Sequence, residues 1–119
     1  MTFPRQGEVW LAQLVGKNRR GDRDNPHHIR RAVIVSTDLY NEYELAFLVA
    51  PVLASTPRRD VPTSLVLEPG DGGVEERSVV VCTQIRAVAP WRMIRKLGEL
   101  SPAAMQSLRQ TLRIAFDLI

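Results

Sequence analysis

Two adjacent arginines, Arg30 and Arg31, lead into the apolar block Ala32–Val35, which closes on Ser36, Thr37 and Asp38. A guanidinium can grip a phosphodiester through two parallel N–H donors and stabilise the charge that grows on phosphate oxygens during phosphoryl transfer. RNA offers such chemistry without a metal ion, because its own 2′-hydroxyl can attack the adjacent phosphorus. That reaction needs a base, a charge stabiliser and a proton donor for the leaving oxygen. Histidine and hydroxyl side chains accompany the arginines: His27 and His28 just before them, and Ser55 and Thr56 in a later loop. Neighbouring side chains on an extended chain point opposite ways, so the two histidines make a poor chelating pair, and no second pair of zinc ligands accompanies them. No Gly-rich phosphate loop, nucleophile motif or paired-carboxylate motif is present. The same two arginines would also serve simply to solvate the edge of a core strand.

The elements that must hold these groups follow from patterning. Ala32–Val35 is mostly β-branched and uninterrupted, which predicts a strand buried on both faces, with Arg30 and Arg31 at its mouth. A strand end fixes a side chain more firmly than a loop does. Residues 8–15 alternate in part and predict an earlier strand in which Trp10 packs in the core or an interface. Between them, residues 16–28 form a long loop broken by Gly16, Gly21 and Pro26. Lys17, Arg19, Arg20 and Arg23 lie in it. With Arg30 and Arg31 they give six basic side chains against Asp22 and Asp24, a local excess of four that more than accounts for the chain's net charge of +3. A basic loop feeding an arginine-bearing strand suits a nucleic-acid clamp, and equally a solvated loop.

Further along, residues 38–44 read as a turn or short helical connection. Residues 45–53 are apolar, with Pro51 predicting an edge strand or a bulge. Residues 63–67 alternate as a strand, and 68–73 (Glu-Pro-Gly-Asp-Gly-Gly) are a strong turn signal. Residues 78–88 read as one long strand that turns polar at Thr83, Gln84 and Arg86; 90–92 are a short break and 96–100 a last short strand. Ser101 and Pro102 then start a helix as N-cap and first helical residue, and Met105, Leu108, Leu112, Ala115 and Ile119 form its apolar stripe, widened by Ile114, Phe116 and Leu118. Many short strands followed by one helix predict a small, mostly antiparallel barrel or curled sheet covered by a C-terminal helix.

At 119 residues, 45% hydrophobic and 24% charged, the chain is expected to be one soluble globular domain, residues 1–119. It has no apolar run of membrane-spanning length and no signal-peptide core at the start. Its one cysteine, Cys82, sits in an apolar run and reads as a small core residue. A reducing cytoplasm is the expected compartment. The residues alone describe a basic small β domain whose charge is compatible with an RNA partner.

Residues 5–11 (RQGEVWL) resemble the opening "RGEVW" of the MazF/PemK family of toxin endoribonucleases. Arg30 followed by Ala32–Ser36 resembles its "RPVLVVS", and residues 49–52 its "VVPLT". Residues 68–88 are similar to "GDGGLPKDSVALCDQIRTV", and residues 97–102 to "LGRLSPE". The resemblance spans almost the whole chain in the family's order. It implies an SH3-like barrel with a C-terminal helix, shared with the CcdB toxins, and a homodimer. It also implies metal-independent, sequence-selective cleavage of single-stranded RNA with no cofactor, and an antitoxin whose disordered acidic tail blocks the RNA groove. DNA is then met only through the antitoxin complex.

Residue by residue, Arg30 falls on the family's catalytic arginine. Arg31 replaces the usual proline, Leu53 falls on the catalytic threonine, and Thr83 on an acid found in many members. On this basis Arg30 is expected to stabilise the transition state, Ser55, Thr56 or Thr83 to supply hydrogen bonds, and His28 or His27 to move protons. Arg31, Lys17, Arg19, Arg20, Arg23, Arg58, Gln84 and Arg86 complete the expected RNA-contacting set. Two alternatives remain: a non-enzymatic toxin that inhibits a protein such as gyrase, as CcdB does, and a catalytically degenerate member that still binds the antitoxin.

Overall fold

The double-sided burial predicted for residues 32–35 is the organising feature of the fold. In a computed structural model, which describes residues 3–14 and 29–118, β2 (Ile29–Ile34) pairs antiparallel with β1 (Glu8–Gln13) on one side and β3 (Phe47–Ala54) on the other. Ala32, Val33 and Ile34 are all fully buried. Side chains alternate across a strand, so Val33 and Val35 enter one apolar cluster while Ala32 and Ile34 enter a second on the opposite face.

The remaining strands are β4 (Ser64–Leu67), β5 (Ser78–Val81), β6 (Arg86–Val88) and β7 (Met93–Glu99). The strand order is β4-β5-β3-β2-β1-β7, with β6 added against β3, and every pairing is antiparallel. A short helix α1 (Asp38–Asn41) follows β2, and the C-terminal helix α2 (Pro102–Phe116) lies over the first cluster through Ala104 and Leu108. The predicted mainly antiparallel sheet with its C-terminal helix is thus present. β4 and β7 stand at the two ends of the strand order, with no pairing between them among the described residues. Among the described residues no helix is long and apolar enough to cross a membrane.

The helix start is as predicted: Ser101 Oγ accepts from the Ala104 N–H (3.1 Å), with Pro102 in the first turn. Asp71, in the 68–73 turn, adds to it by accepting from both the N–H and the hydroxyl of Ser101 (2.9 and 2.8 Å). Met105, Leu112 and Ala115 pack on the core, whereas Ile114, Phe116 and Leu118 are exposed. Ile119 lies outside the described residues.

Three expectations need correction. Pro51 is neither at an edge nor at a bulge but inside the central strand β3. The Leu48 carbonyl accepts from the Val35 N–H, so even-numbered residues of β3 turn their backbone polar groups toward β2, and odd ones, Pro51 included, turn them away. On that side β5 pairs with residues 52–54 and β6 with 47–49, so the N–H that proline lacks falls in the gap between two partners. That gap also explains the second correction. Residues 78–88 form two strands separated by a 3₁₀ turn, Cys82–Gln84, where the chain leaves one end of β3 and rejoins it further along. Third, the last strand begins at Met93 rather than near Lys96, because β1 pairs with it from Ala12↔Met93 onward.

A charged knot ties the chain start to the sheet. Glu8 is buried; one carboxylate oxygen accepts from the Arg5 N–H and the Trp10 indole N–H (each 2.9 Å), and the other meets Lys96 Nζ at 3.0 Å. Burial alone would raise the Glu8 carboxyl, but these donors and the lysine charge together hold it below its ordinary value of 4.5. The folded state therefore binds this proton less readily than the unfolded chain. Its contribution to stability is complete above the ordinary carboxylate range and is lost as pH falls through the depressed folded value. Glu8→Gln should lower unfolding stability at pH 7 by about 1 kcal/mol and flatten the acid limb of a urea-unfolding series. Identical acid limbs in the two proteins would refute this assignment.

Candidate active site

The arginine pair is divided by the strand that carries it. Arg30 lies opposite Ala12 and Arg31 opposite Leu11 and Val52, on opposite faces of β2. Arg30 is exposed, and its Nη1 donates to the neighbouring Ile29 carbonyl (2.9 Å), a contact that leaves the head of the side chain at the strand mouth. Arg31 is half-buried and donates through Nη1 to Ser78 Oγ (3.2 Å). Ser78 is fully buried at the start of β5, and its hydroxyl donates in turn to the Glu76 carbonyl (2.8 Å).

Arg31 opens on a cavity of about 360 Å³, which Arg77, Ser78, Arg95, Leu11 and Leu97 also line, with Glu75 and Glu76. Beside it, a hollow of about 270 Å³ is lined by Ser55, Thr56, Pro57, Asp60 and Arg77. Arg77 belongs to both. Its Nε pairs with Glu68 (2.9 Å) and its Nη1 donates to Ser55 Oγ (3.3 Å). The backbone explains why: Ala54 pairs with Ser78, and the Ser55 N–H donates to the Arg77 carbonyl (3.3 Å), so the ladder between β3 and β5 continues one step into the loop.

The predicted residues divide into two groups along β3. The register places Arg31 level with Val52 and Ala54 level with Ser78, so Arg30, Arg31, Ser55 and Thr56 gather at one end. Arg86 pairs with Val49, five residues back from Ala54, or roughly 16 Å along the strand. Thr83 and Gln84 are exposed on the 3₁₀ turn just before it. Arg58 is exposed in the loop after Thr56, and Leu53 is half-buried opposite Val79. Lys17, Arg19, Arg20, Arg23, His27 and His28 lie outside the described residues. Burial pushes the Cys82 thiol up to about 11, which suits a core residue and not a thiolate nucleophile. Among the described residues no three His, Cys, Asp or Glu side chains group as metal ligands.

Sequence reasoning did not single out Arg77, Ser78 and Arg95. Arg77 follows Glu75 and Glu76 and reads as turn charge. Ser78 reads as the first residue of an apolar strand. Arg95 had a usable signal: it stands two residues before Leu97, and so on the same side of a strand.

Comparison with known proteins agrees with this architecture. The family described as PemK-like, MazF-like toxin of type II toxin-antitoxin system matches residues 5–116. A Mycobacterium tuberculosis protein named probable endoribonuclease MazF5 is 28% identical over 115 residues, covering 97% of this chain and 94% of its own. Endoribonuclease MazF9 of the same organism is 29% identical over 119 residues, covering 96% and 97%. A solved mycobacterial endoribonuclease in complex with its cognate antitoxin has the same fold, with a TM-score of 0.76 at 21% identity over 98% of this chain and 97% of that one.

Proposed function

The chain belongs to the PemK-like, MazF-like toxins of type II toxin-antitoxin systems, and on that premise we propose that it is an endoribonuclease that cuts single-stranded RNA without a metal ion. The observation that carries this reading is the near full-length match to the family; the exposed Arg30, which the motif resemblance aligns with the family's catalytic arginine, supports it. In the proposed reaction the RNA 2′-oxygen gives up its proton to a base and bonds to the adjacent phosphorus. The bond from phosphorus to the 5′-oxygen then breaks, and that oxygen takes a proton. The products are a 2′,3′-cyclic phosphate and a 5′-hydroxyl. Arg30 meets the charge on the non-bridging oxygens. His27 or His28 exchanges protons near neutral pH.

Leu53 cannot donate a proton, so a hydroxyl elsewhere must protonate the leaving oxygen. Ser55 follows two residues later and so projects to the same side of the chain. Its oxygen accepts from Arg77, which leaves its own proton available to donate. Thr56 shares the hollow with Ser55, whereas Thr83 stands well along the sheet and would act on a more distant nucleotide. Arg31, Arg58, Gln84 and Arg86, with Lys17, Arg19, Arg20 and Arg23, extend the contact to the RNA backbone. Purified protein incubated with a long single-stranded RNA in EDTA should give discrete fragments. Intact RNA would favour the second reading, for which Leu53 is the specific observation: a toxin that inhibits a protein target such as gyrase without chemistry.

The protein partner in this proposal is an antitoxin with an acidic disordered segment, through which any contact with DNA is made; the whole would operate in the cytoplasm as one domain. The solved relative with its cognate antitoxin supports that partner. Such a segment should bind less tightly as salt rises, because charge attraction is screened. The chain is also proposed to form a homodimer. Trp91, Phe116 and Leu118 are each more than half exposed, and a self-complementary pairing would cover such apolar surface. Sedimentation at micromolar concentration should show a species of twice 13.4 kDa; only the 13.4 kDa species would count against the dimer.

A further inference from the structure

We propose that the cavity between β2, β5 and β7 is a second phosphate-binding subsite, in which Arg31, Arg77 and Arg95 hold a backbone phosphate of the RNA other than the one at Arg30. The inference rests on the RNA-binding reading above and goes beyond it, because these three side chains come from separate segments that the sequence does not associate. About 360 Å³ lies at the small end of ordinary ligand sites and has room for one nucleotide unit.

The geometry favours an anion of this shape. Arg31 is fixed by Ser78, whose hydroxyl is itself committed to the Glu76 carbonyl, so the guanidinium is oriented before any ligand arrives. That contact uses a single Nη1 donor and leaves the other donors of a planar fork that matches two phosphate oxygens. Arg77 is braced by Glu68 and Ser55. Arg95 is exposed on β7 and completes the third side. Neither Glu75 nor Glu76 lies within ion-pair distance of these arginines among the described ion pairs, although both line the cavity. They limit the net positive charge there, so their removal should tighten anion binding. Because Arg30 and Arg31 leave opposite faces of one strand, a single phosphate is poorly placed to meet both, and the two sites would hold different phosphates of one bent strand.

The test uses the full-length chain and a 2′-O-methyl RNA hexamer, which binds but cannot be cut because the attacking hydroxyl is blocked. The guanidinium Nε–H signals of Arg31, Arg77 and Arg95 should shift on titration. Arg95→Ala, a surface truncation, should weaken hexamer binding on the order of tenfold and lower the salt slope by about 0.7, the value for one phosphate contact on a single strand. Glu75→Gln with Glu76→Gln should strengthen binding. Hexamer binding that leaves the three arginine signals unmoved, or that Arg95→Ala does not weaken, would overturn the subsite. So would shifts caused by hexaglutamate and not by the RNA, which would assign the cavity to an acidic peptide. A long unmodified RNA that stays intact while these shifts occur would defeat the nuclease reading and leave the subsite standing.

Discussion

Arg30→Ala should lower the rate of RNA cleavage on the order of a hundredfold or more while changing RNA affinity far less. The expectation follows from where charge appears. In the ground state the phosphodiester carries one negative charge spread over two oxygens. As the 2′-oxygen bonds to phosphorus, charge on those oxygens grows, and a fixed guanidinium gains more there than in the ground state. Arg30 is suited to this role by its place at the mouth of β2, where its head donates to the carbonyl of Ile29. Its exposure means that the core loses nothing on truncation, so circular dichroism should show an unchanged fold. Arg31→Ala should lower the cleavage rate less and weaken binding more, because Arg31 faces the cavity on the other side of the strand. A folded Arg30→Ala protein that cleaves RNA and arrests growth at the wild-type level would remove Arg30 from the mechanism. Equal losses of cleavage and of binding would make it a docking residue.

Gly98→Ala should damage the fold severely for so small a substitution, costing about 3 kcal/mol. A Cβ at Gly98 would stand 2.8 Å from the backbone carbon and oxygen of Gly72 and 2.9 Å from the Gly73 nitrogen. All three are main-chain atoms, so no flexible side chain can move aside. The reverse contact is closer still: a Cβ on Gly73 would lie 2.6 Å from the Leu97 carbonyl oxygen. Gly72 and Gly73 also hold positive φ angles of 65° and 80°, which only glycine adopts without strain. This turn carries Asp71, whose carboxylate caps the helix start at Ser101. Pushing the turn away from β7 would therefore loosen α2 as well as the cavity wall formed by Gly73 and Leu97. Gly70→Ala is the control. Nothing lies within 4 Å of its Cβ, so only its φ of 97° is strained, and a cost of about 1 kcal/mol is expected. Urea midpoints separate the two, and equal midpoints for the two variants would contradict the close-approach account.

How far the sequence could be read depended on the range of the forces involved. The buried strand at residues 32–35 and the capped helix at 101–102 were legible because apolar runs and cap residues act locally. The interrupted strand at 82–84 was not, since its break is set by which part of β3 each half pairs with, contacts between residues far apart in the chain. Pro51 misled for the same reason: its tolerance depends on a gap in a neighbouring strand that no local pattern records. The site shows the same division. Arg30 is found by motif and by its position at a strand mouth. The partnership of Arg31 with Ser78, 47 residues away, and of Arg77 with Ser55 exists only once β2, β3 and β5 are in register.

The central claim, that this toxin-family chain cuts RNA through the RNA's own 2′-hydroxyl, is tested most directly by the chemistry of the cut ends. Purified protein and a long single-stranded RNA should be incubated with excess EDTA and the fragments analysed by mass. The account predicts new ends carrying a 2′,3′-cyclic phosphate on one fragment and a 5′-hydroxyl on the next, with no product from an RNA whose 2′-positions are methylated. Ends bearing a 5′-phosphate, or fragments that form only when a divalent metal is restored, would contradict it.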